Sequence, residues 1–301
     1  MKATAELLAA PAAVAEKNSA ALYADLFKAR LTLLVLMTTL VGFYAGSRGE
    51  VNYLLMLHTI LGTALVASGA SALNQVWERE HDAKMRRTAD RPLPSGRMQP
   101  GKALKIGCGA GMFGLVYLAL LVNPVAAGVA ACSLLLYIFV YTPLKRVTWL
   151  NTMVGAFPGG LPPLIGWAAA RGRVDAGGWV LFTIQALWQL PHFMAIAWLY
   201  RDEYARAGFR MLSVVDPDGR RTGRQAVLQT ALLLPVSLLP FALKLAGPYY
   251  FWGATILGLC FFWLALQFAC ALTLQRARQL FYCSLIYLPL LLTLLVLDKI
   301  R

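Results

Sequence analysis

Apolar residues run through this chain in long, nearly unbroken stretches, each close to the length that crosses a bilayer, and short polar or basic segments separate them. The runs predict spans at residues 29–47, 53–76, 104–122, 125–143, 150–170, 178–199, 225–245, 249–272 and 281–298. None alternates polar with apolar in the manner of a barrel strand. Backbone groups in hydrocarbon must then be satisfied within each segment, so the prediction is an all-α polytopic bundle of nine transmembrane helices.

Composition strengthens that picture. Of the 301 residues 59% are hydrophobic and only 14% charged, which places the chain among integral membrane proteins. A net charge of +14 could suggest nucleic acid, but 22 of the 28 Lys and Arg fall in the N-terminal segment and around the connections after helices 2, 4, 6 and 8. That bias predicts a cytoplasmic N-terminus by the positive-inside rule and basic loops facing anionic lipid, with no nucleic-acid partner. Residues 1–27 are Ala-rich with few basic positions and read as a cytoplasmic segment, neither a signal peptide nor a transit peptide; residues 28–301 read as one membrane-embedded domain. The short N-terminus points to a bacterial inner membrane. Five cysteines, Cys108, Cys132, Cys260, Cys270 and Cys283, lie in or beside spans without metal-site spacing and read as apolar core residues. Gly107 and Gly111 make a GxxxG in helix 3, a sign of close helix packing rather than a dinucleotide loop.

Against this background the stretch "NQVWEREHDAKMRRTADRPLPSGR" at the end of helix 2 is out of place. Asn74, Glu78 and Asp82 recur every four residues, so their oxygens share one helical stripe at steps of roughly 6 Å. Two carboxylates at that spacing repel by roughly 3 kcal/mol at an effective dielectric near 20, and a divalent cation removes the repulsion. An oxygen-only set suits Mg²⁺, which one or two carboxylates commonly hold together with substrate phosphates. Lys84, Arg86, Arg87, Arg91 and Arg97 follow directly and match phosphate oxygens. A solvated loop whose acids pair with its own bases would explain the same residues.

A second stretch, "LYRDEYARAGFRML", places Tyr200, Asp202, Glu203, Tyr204, Arg206 and Arg210 after helix 6, four helices on, which hints at a weak repeat of helices 1–4 in helices 5–8. Two such helix ends on one side of the membrane could grip a diphosphate between them. His192, with Trp188 and Gln189, lies within helix 6, and ionisable groups at that depth mark function by default. Helix 5 holds Asn151 and the Gly- and Pro-rich run "GAFPGGLPPLIGW", which predicts irregular backbone bordering a pocket from Gly155 to Pro163.

Taken together, the acidic NxxxExxxD on helix 2 and the degenerate acidic stretch after helix 6 resemble the UbiA superfamily of intramembrane prenyltransferases. "DAKMRRTADRPLPSGR", "YTPLKRVTWLN", "LPPLIGWAA", "WQLPHFMAIAW" and "YRDEYARAGFRML" are similar to its haem-farnesylating branch over nearly the whole chain from about Leu26. The PHF on helix 6 and the AGxxML after it separate that branch from the quinone-making one. The resemblance implies haem B and farnesyl diphosphate as substrates, Mg²⁺ as cofactor, haem O as product, and a haem A synthase or terminal-oxidase assembly factor as partner. It implies that Asn74, Glu78 and Asp82 hold Mg²⁺, and that Lys84, Arg87 and Arg91, with Lys145, Arg146 and Arg206, bind diphosphate. Asp202 and Glu203 would serve a second metal or its waters, His192 the porphyrin, and Asn151, Trp188 and Gln189 the cavity wall. Two features depart from the family pattern: Ala29 stands where the opening "KPR" has proline, and Tyr200 and Tyr204 occupy the places of the second motif's acids. An aromatic-acid polyprenyltransferase of the 4-hydroxybenzoate type, or a transporter with broken helices, are the other readings.

Overall fold

In the computed structural model, residues 19–300 are described, and every named element among them is helical; the first part of the expected N-terminal segment lies outside them. A short helix α1 (Ser19–Leu26) leads into α2 (Ala29–Gly46), α3 (Tyr53–Asp82) and α4 (Pro100–Leu121). The next span is one continuous rod with three registers: α5 (Pro124–Leu135), a π-helical stretch (Leu136–Tyr141) and α6 (Thr142–Val147). Then come α7 (Asn151–Arg171), α8 (Ala176–Leu199), two short helices α9 (Arg201–Arg206) and α10 (Leu212–Val215), and finally α11 (Arg220–Ala242), α12 (Pro248–Ala271) and α13 (Leu274–Leu297).

Local chemistry sets several of these boundaries. The side chains of Asn52, Asn123 and Thr273 accept from the backbone N–H three residues on, at 2.9, 2.8 and 3.2 Å, and so cap α3, α5 and α13. Proline opens α4, α5 and α12, where its missing N–H costs nothing.

Eight helices among the described residues are long and apolar enough to cross a membrane. Their ranges cover eight of the nine expected spans. The remaining one, α7, is a helix of 21 residues in the expected place but is not among the eight. Its Gly and Pro content lowers its hydropathy, and its position explains why that is tolerated: 15 of its residues are buried, so protein rather than lipid covers most of it.

The expected break in this helix is not there. Pro158, Pro162 and Pro163 lie inside an uninterrupted α-helix, a correction to the irregular backbone anticipated between Gly155 and Pro163. Pro162 cannot donate to the carbonyl of Pro158, and the Ser133 hydroxyl donates to that carbonyl instead, at 3.0 Å. The glycines serve contact rather than a pocket. A Cβ on Gly42 would strike the Pro163 carbonyl, and one on Gly166 the Thr39 carbonyl, so α2 and α7 meet backbone to backbone. The GxxxG of α4 works in the same way, since Gly69 of α3 comes within 2.7 Å of the Gly107 carbonyl and 2.6 Å of the Gly111 nitrogen, measured from its ideal Cβ.

Two apolar clusters fill the bundle. One joins α8, α11, α12 and α13 through Trp198, Tyr250, Phe261, Phe268 and Tyr287; the other joins α2 to α5 and α7 through Phe43, Leu118 and Ile165. Four of the five cysteines lie outside both cores: Cys108, Cys132, Cys260 and Cys270 are exposed on the outer surface, while half-buried Cys283 packs against the first cluster. A small thiol on an apolar outer face needs no partner there, and that corrects their reading as core residues.

Candidate functional site

At the C-terminal end of α3 the three expected oxygens do line one stripe, and all three side chains are buried. They face a cavity of about 180 Å³ lined by Lys28, Asn74, Glu78, Asp82, Met85, Arg87, Arg91, Tyr141, Lys145, Thr152, Phe193, Ile196, Tyr204, Phe209 and Met211.

Each oxygen has its own cation. Lys28 Nζ donates to Asn74 Oδ1 at 2.6 Å, Lys145 Nζ lies 2.8 Å from Glu78 Oε1, and Arg91 Nη1 donates to Asp82 Oδ2 at 2.6 Å. The elements explain the convergence. Lys28 occupies a left-handed backbone position at the start of α2, Lys145 follows the π-helical stretch, and Arg91 belongs to the connection that folds back after α3 and is pinned by the Thr88 hydroxyl on the Asp82 carbonyl at 2.8 Å. Asn74 Nδ2 donates to Thr142 Oγ1 at 3.1 Å, which aims its amide oxygen into the cavity. Lys145 Nζ also rests over the Tyr141 ring at 4.5 Å.

Four cations, Lys28, Arg87, Arg91 and Lys145, face two carboxylates in this cavity. The surplus, two charges when Lys28 is protonated, selects for an anion. Burial, and then the nearby Arg91 charge, push the Lys28 pKa down to about 7 against the opposing pull of Glu78 and Asp82.

The donor set also fits Mg²⁺. Asn74, Glu78 and Asp82 turn only oxygens toward the cavity, and Lys145, 2.8 Å from buried Glu78 Oε1, balances its charge. Among the described residues no three His, Cys, Asp or Glu side chains converge on a metal position, so a cation here would draw its further ligands from water and a bound anion.

The second stretch reaches the same cavity through its tyrosines. Tyr204 lines the wall, its hydroxyl accepts from Arg87 Nη2 at 3.4 Å, and the Arg87 guanidinium stands over the Tyr200 ring at 5.4 Å. Asp202 does not: its side chain is 86% exposed beside Arg201, and neither it nor Glu203 lines the cavity. The short α9 leaves Asp202 exposed and Glu203 half-buried, both outside the cavity lining where a second metal was expected. Lys84, Arg146 and Arg206 are likewise exposed and outside the lining.

Of the other expected wall residues, buried Asn151 donates to the carbonyls of Thr148 and Arg210 at 2.6 and 3.1 Å and so ties the α6–α7 corner to the segment before α10. Gln189 packs on Gly159, while Trp188 and His192 face α13. None of these four lines the cavity; their neighbours Thr152, Phe193 and Ile196 do. Lys28 was missed altogether, although a lone lysine immediately before the first apolar run was a usable signal. Phe209 and Met211 belong to the AGxxML stretch, but only the fold brings this connection between α9 and α10 across to the cavity.

Comparison with known proteins identifies relatives of this chain. Residues 35–291 match the UbiA prenyltransferase family. A protoheme IX farnesyltransferase from Solibacter usitatus is 49% identical over 92% of this chain and 98% of its own length, and the mitochondrial protoheme IX farnesyltransferase of Arabidopsis thaliana is 38% identical over 92% of this chain and 65% of its own. Among solved structures, a digeranylgeranylglyceryl phosphate synthase superposes with a TM-score of 0.79 at 19% identity, covering 93% of this chain and 98% of that one. A UbiA homologue from Archaeoglobus fulgidus, solved with GPP and Mg²⁺, superposes with a TM-score of 0.63 at 13% identity, covering 91% of this chain and 99% of that one.

Proposed function

The chain belongs to the UbiA prenyltransferase family, a multi-pass membrane enzyme of prenyl transfer, and from that premise we propose that it joins farnesyl diphosphate, haem B and water into haem O and diphosphate. The observation that carries the reading is the pairing of Asn74, Glu78 and Asp82 with Lys28, Lys145 and Arg91 around a cavity of net positive charge. The names of its relatives supply the acceptor and the prenyl donor.

In this reading the diphosphate enters among Lys28, Lys145, Arg87 and Arg91, whose donors exchange the motif's oxygens for phosphate oxygens. Asn74, Glu78 and Asp82, freed from those cations, would hold Mg²⁺, which supplies further positive charge to the departing diphosphate. The allylic C1–O bond breaks with its electron pair going to the diphosphate oxygen, where the four cations stabilise the developing charge. Phe193, Ile196, Phe209 and Met211 form the apolar side of the cavity and keep water from the allylic cation. A vinyl π-pair of haem B then bonds to C1, and water adds to the benzylic-type cation that results, losing a proton to leave the hydroxyl. The prenyl tail and the porphyrin both come from the bilayer.

The basic bias around the connections after helices 2, 4, 6 and 8 supports placing this cavity at the cytoplasmic face of a bacterial inner membrane, in a single domain built from residue 28 onward with a weak four-helix repeat. The test is direct: membranes carrying the protein receive labelled farnesyl diphosphate with either haem B or 4-hydroxybenzoate. Farnesylated haem by mass spectrometry, dependent on Mg²⁺ and accompanied by pyrophosphate, is the expected result. Label on the aromatic acid alone would assign the chain to the quinone-making branch.

A further inference from the structure

His192 is held by a serine placed to set which of its nitrogens carries the proton. Its Nδ1 lies 2.7 Å from Ser284 Oγ, and that same hydroxyl donates to the Phe281 carbonyl at 2.5 Å. A serine has one proton, and a carbonyl oxygen can only accept. With the Ser284 proton on the Phe281 carbonyl, Oγ faces Nδ1 as an acceptor. That arrangement puts the ring proton on Nδ1 and leaves the lone pair on Nε2.

The ring is fixed as well as polarised. Trp188, one turn earlier on α8, stacks on it with centroids 5.2 Å apart and donates from Nε1 to the Ser284 carbonyl at 2.7 Å. Phe281 stacks on it from α13 at 5.1 Å. Among the described residues Nε2 has no hydrogen-bond partner, and it is not among the sealed, unpartnered polar atoms, so it remains accessible on a partly exposed ring. A fully buried serine, a tryptophan and a phenylalanine thus hold one imidazole with its basic nitrogen unused.

We infer that His192 Nε2 is the axial ligand for the iron of the haem substrate, and that Ser284 is the positioning residue that fixes its tautomer. Metal-bound histidines characteristically donate their other ring N–H to a neighbouring acceptor, which orients the ring and raises its basicity; the Ser284 contact supplies that acceptor. A water-holding role fits the surroundings poorly, because the rings of Trp188, Phe193 and Phe281 offer porphyrin-like apolar surface rather than partners for a water network. Placement favours it too. Phe193 and Ile196, the next residue and the next turn on the same helix, line the diphosphate cavity, so a haem ligated at His192 has its rim beside the wall that faces C1 of the prenyl donor. This rests on the haem reading of the preceding subsection.

The experiment uses the full-length protein in detergent, titrated with haem B and followed by its Soret and electron paramagnetic resonance spectra. The wild type is expected to show histidine ligation, and His192→Ala to lose it while inorganic pyrophosphate still binds as in the wild type; added imidazole should restore the spectrum. Ser284→Ala should keep the ligation signature but weaken haem binding by about 10- to 100-fold. Identical spectra for His192→Ala and the wild type, with farnesylated haem still formed, would overturn the ligand assignment and leave the reaction standing. A spectrum lost in His192→Ala, with no farnesylated haem made by the wild type, would uphold the ligand and sink the proposed reaction. Unchanged haem affinity in Ser284→Ala would remove the positioning role.

Discussion

Lys28 Nζ donates to Asn74 Oδ1 across 2.6 Å, joining the residue that precedes α2 to the first oxygen of the α3 stripe. The contact neutralises nothing, since Asn74 is uncharged; it parks a basic group beside a site of positive surplus. Replacing Lys28 by Met should weaken pyrophosphate binding about tenfold, the effect of one lost charge-assisted hydrogen bond. Calorimetry on the purified protein reads it, and an unchanged affinity would exclude Lys28 from the diphosphate.

Glu78 and Asp82 are the only carboxylates in the lining, and each is matched to one cation. Glu78→Gln and Asp82→Asn keep shape while removing charge, so both variants should fold and insert but lose about 10²- to 10³-fold in turnover. Wild-type rate at limiting Mg²⁺ in either one would show that the residue is no metal ligand.

Tyr204 meets Arg87 at a long 3.4 Å, and Tyr200 lends it only a ring face. Tyr204→Phe is expected to raise KM for farnesyl diphosphate by about threefold, with kcat unchanged, as befits one modest hydrogen bond. Turnover reduced by about two orders of magnitude would instead mark the hydroxyl as part of the chemistry.

Gly166 touches the Thr39 carbonyl of α2 with no room for a methyl group. Gly166→Ala must separate the two helices and should cost about 1–3 kcal/mol, seen as a lower melting temperature in detergent. Gly101→Ala, where nothing lies within 4 Å, serves as the neutral control.

Asp175 precedes α8 and lies 2.9 Å from Arg171. Burial raises its pKa, but the hydrogen bond and charge of Arg171 outweigh that and hold it below the ordinary carboxylate value. A depressed carboxylate stabilises the fold above its unfolded pKa and loses that contribution as the pH falls through the lowered one. Asp175→Asn should therefore lower stability near neutral pH by less than about 1 kcal/mol and leave it unchanged under strongly acid conditions. An equal loss at both pH values would mean packing, not charge.

The sequence by itself determined the membrane bundle and the oxygen stripe. Long apolar runs leave the backbone no alternative to helices in hydrocarbon, and a spacing of four residues places Asn74, Glu78 and Asp82 together on any helix. Those are local consequences of period and solvent. What the tertiary structure decided is everything that depends on which helices meet. Only the fold could bring Lys28 and Lys145 onto the stripe from 46 and 67 residues away, and only the outward turn of α9 could leave Asp202 exposed while Tyr204 reached Arg87. In α7 the local signal pointed the wrong way, because prolines that would break an isolated helix are tolerated where a neighbouring serine answers the freed carbonyl and protein replaces lipid over most of the helix surface. Periodicity fixes which face a residue occupies; packing alone fixes what that face meets.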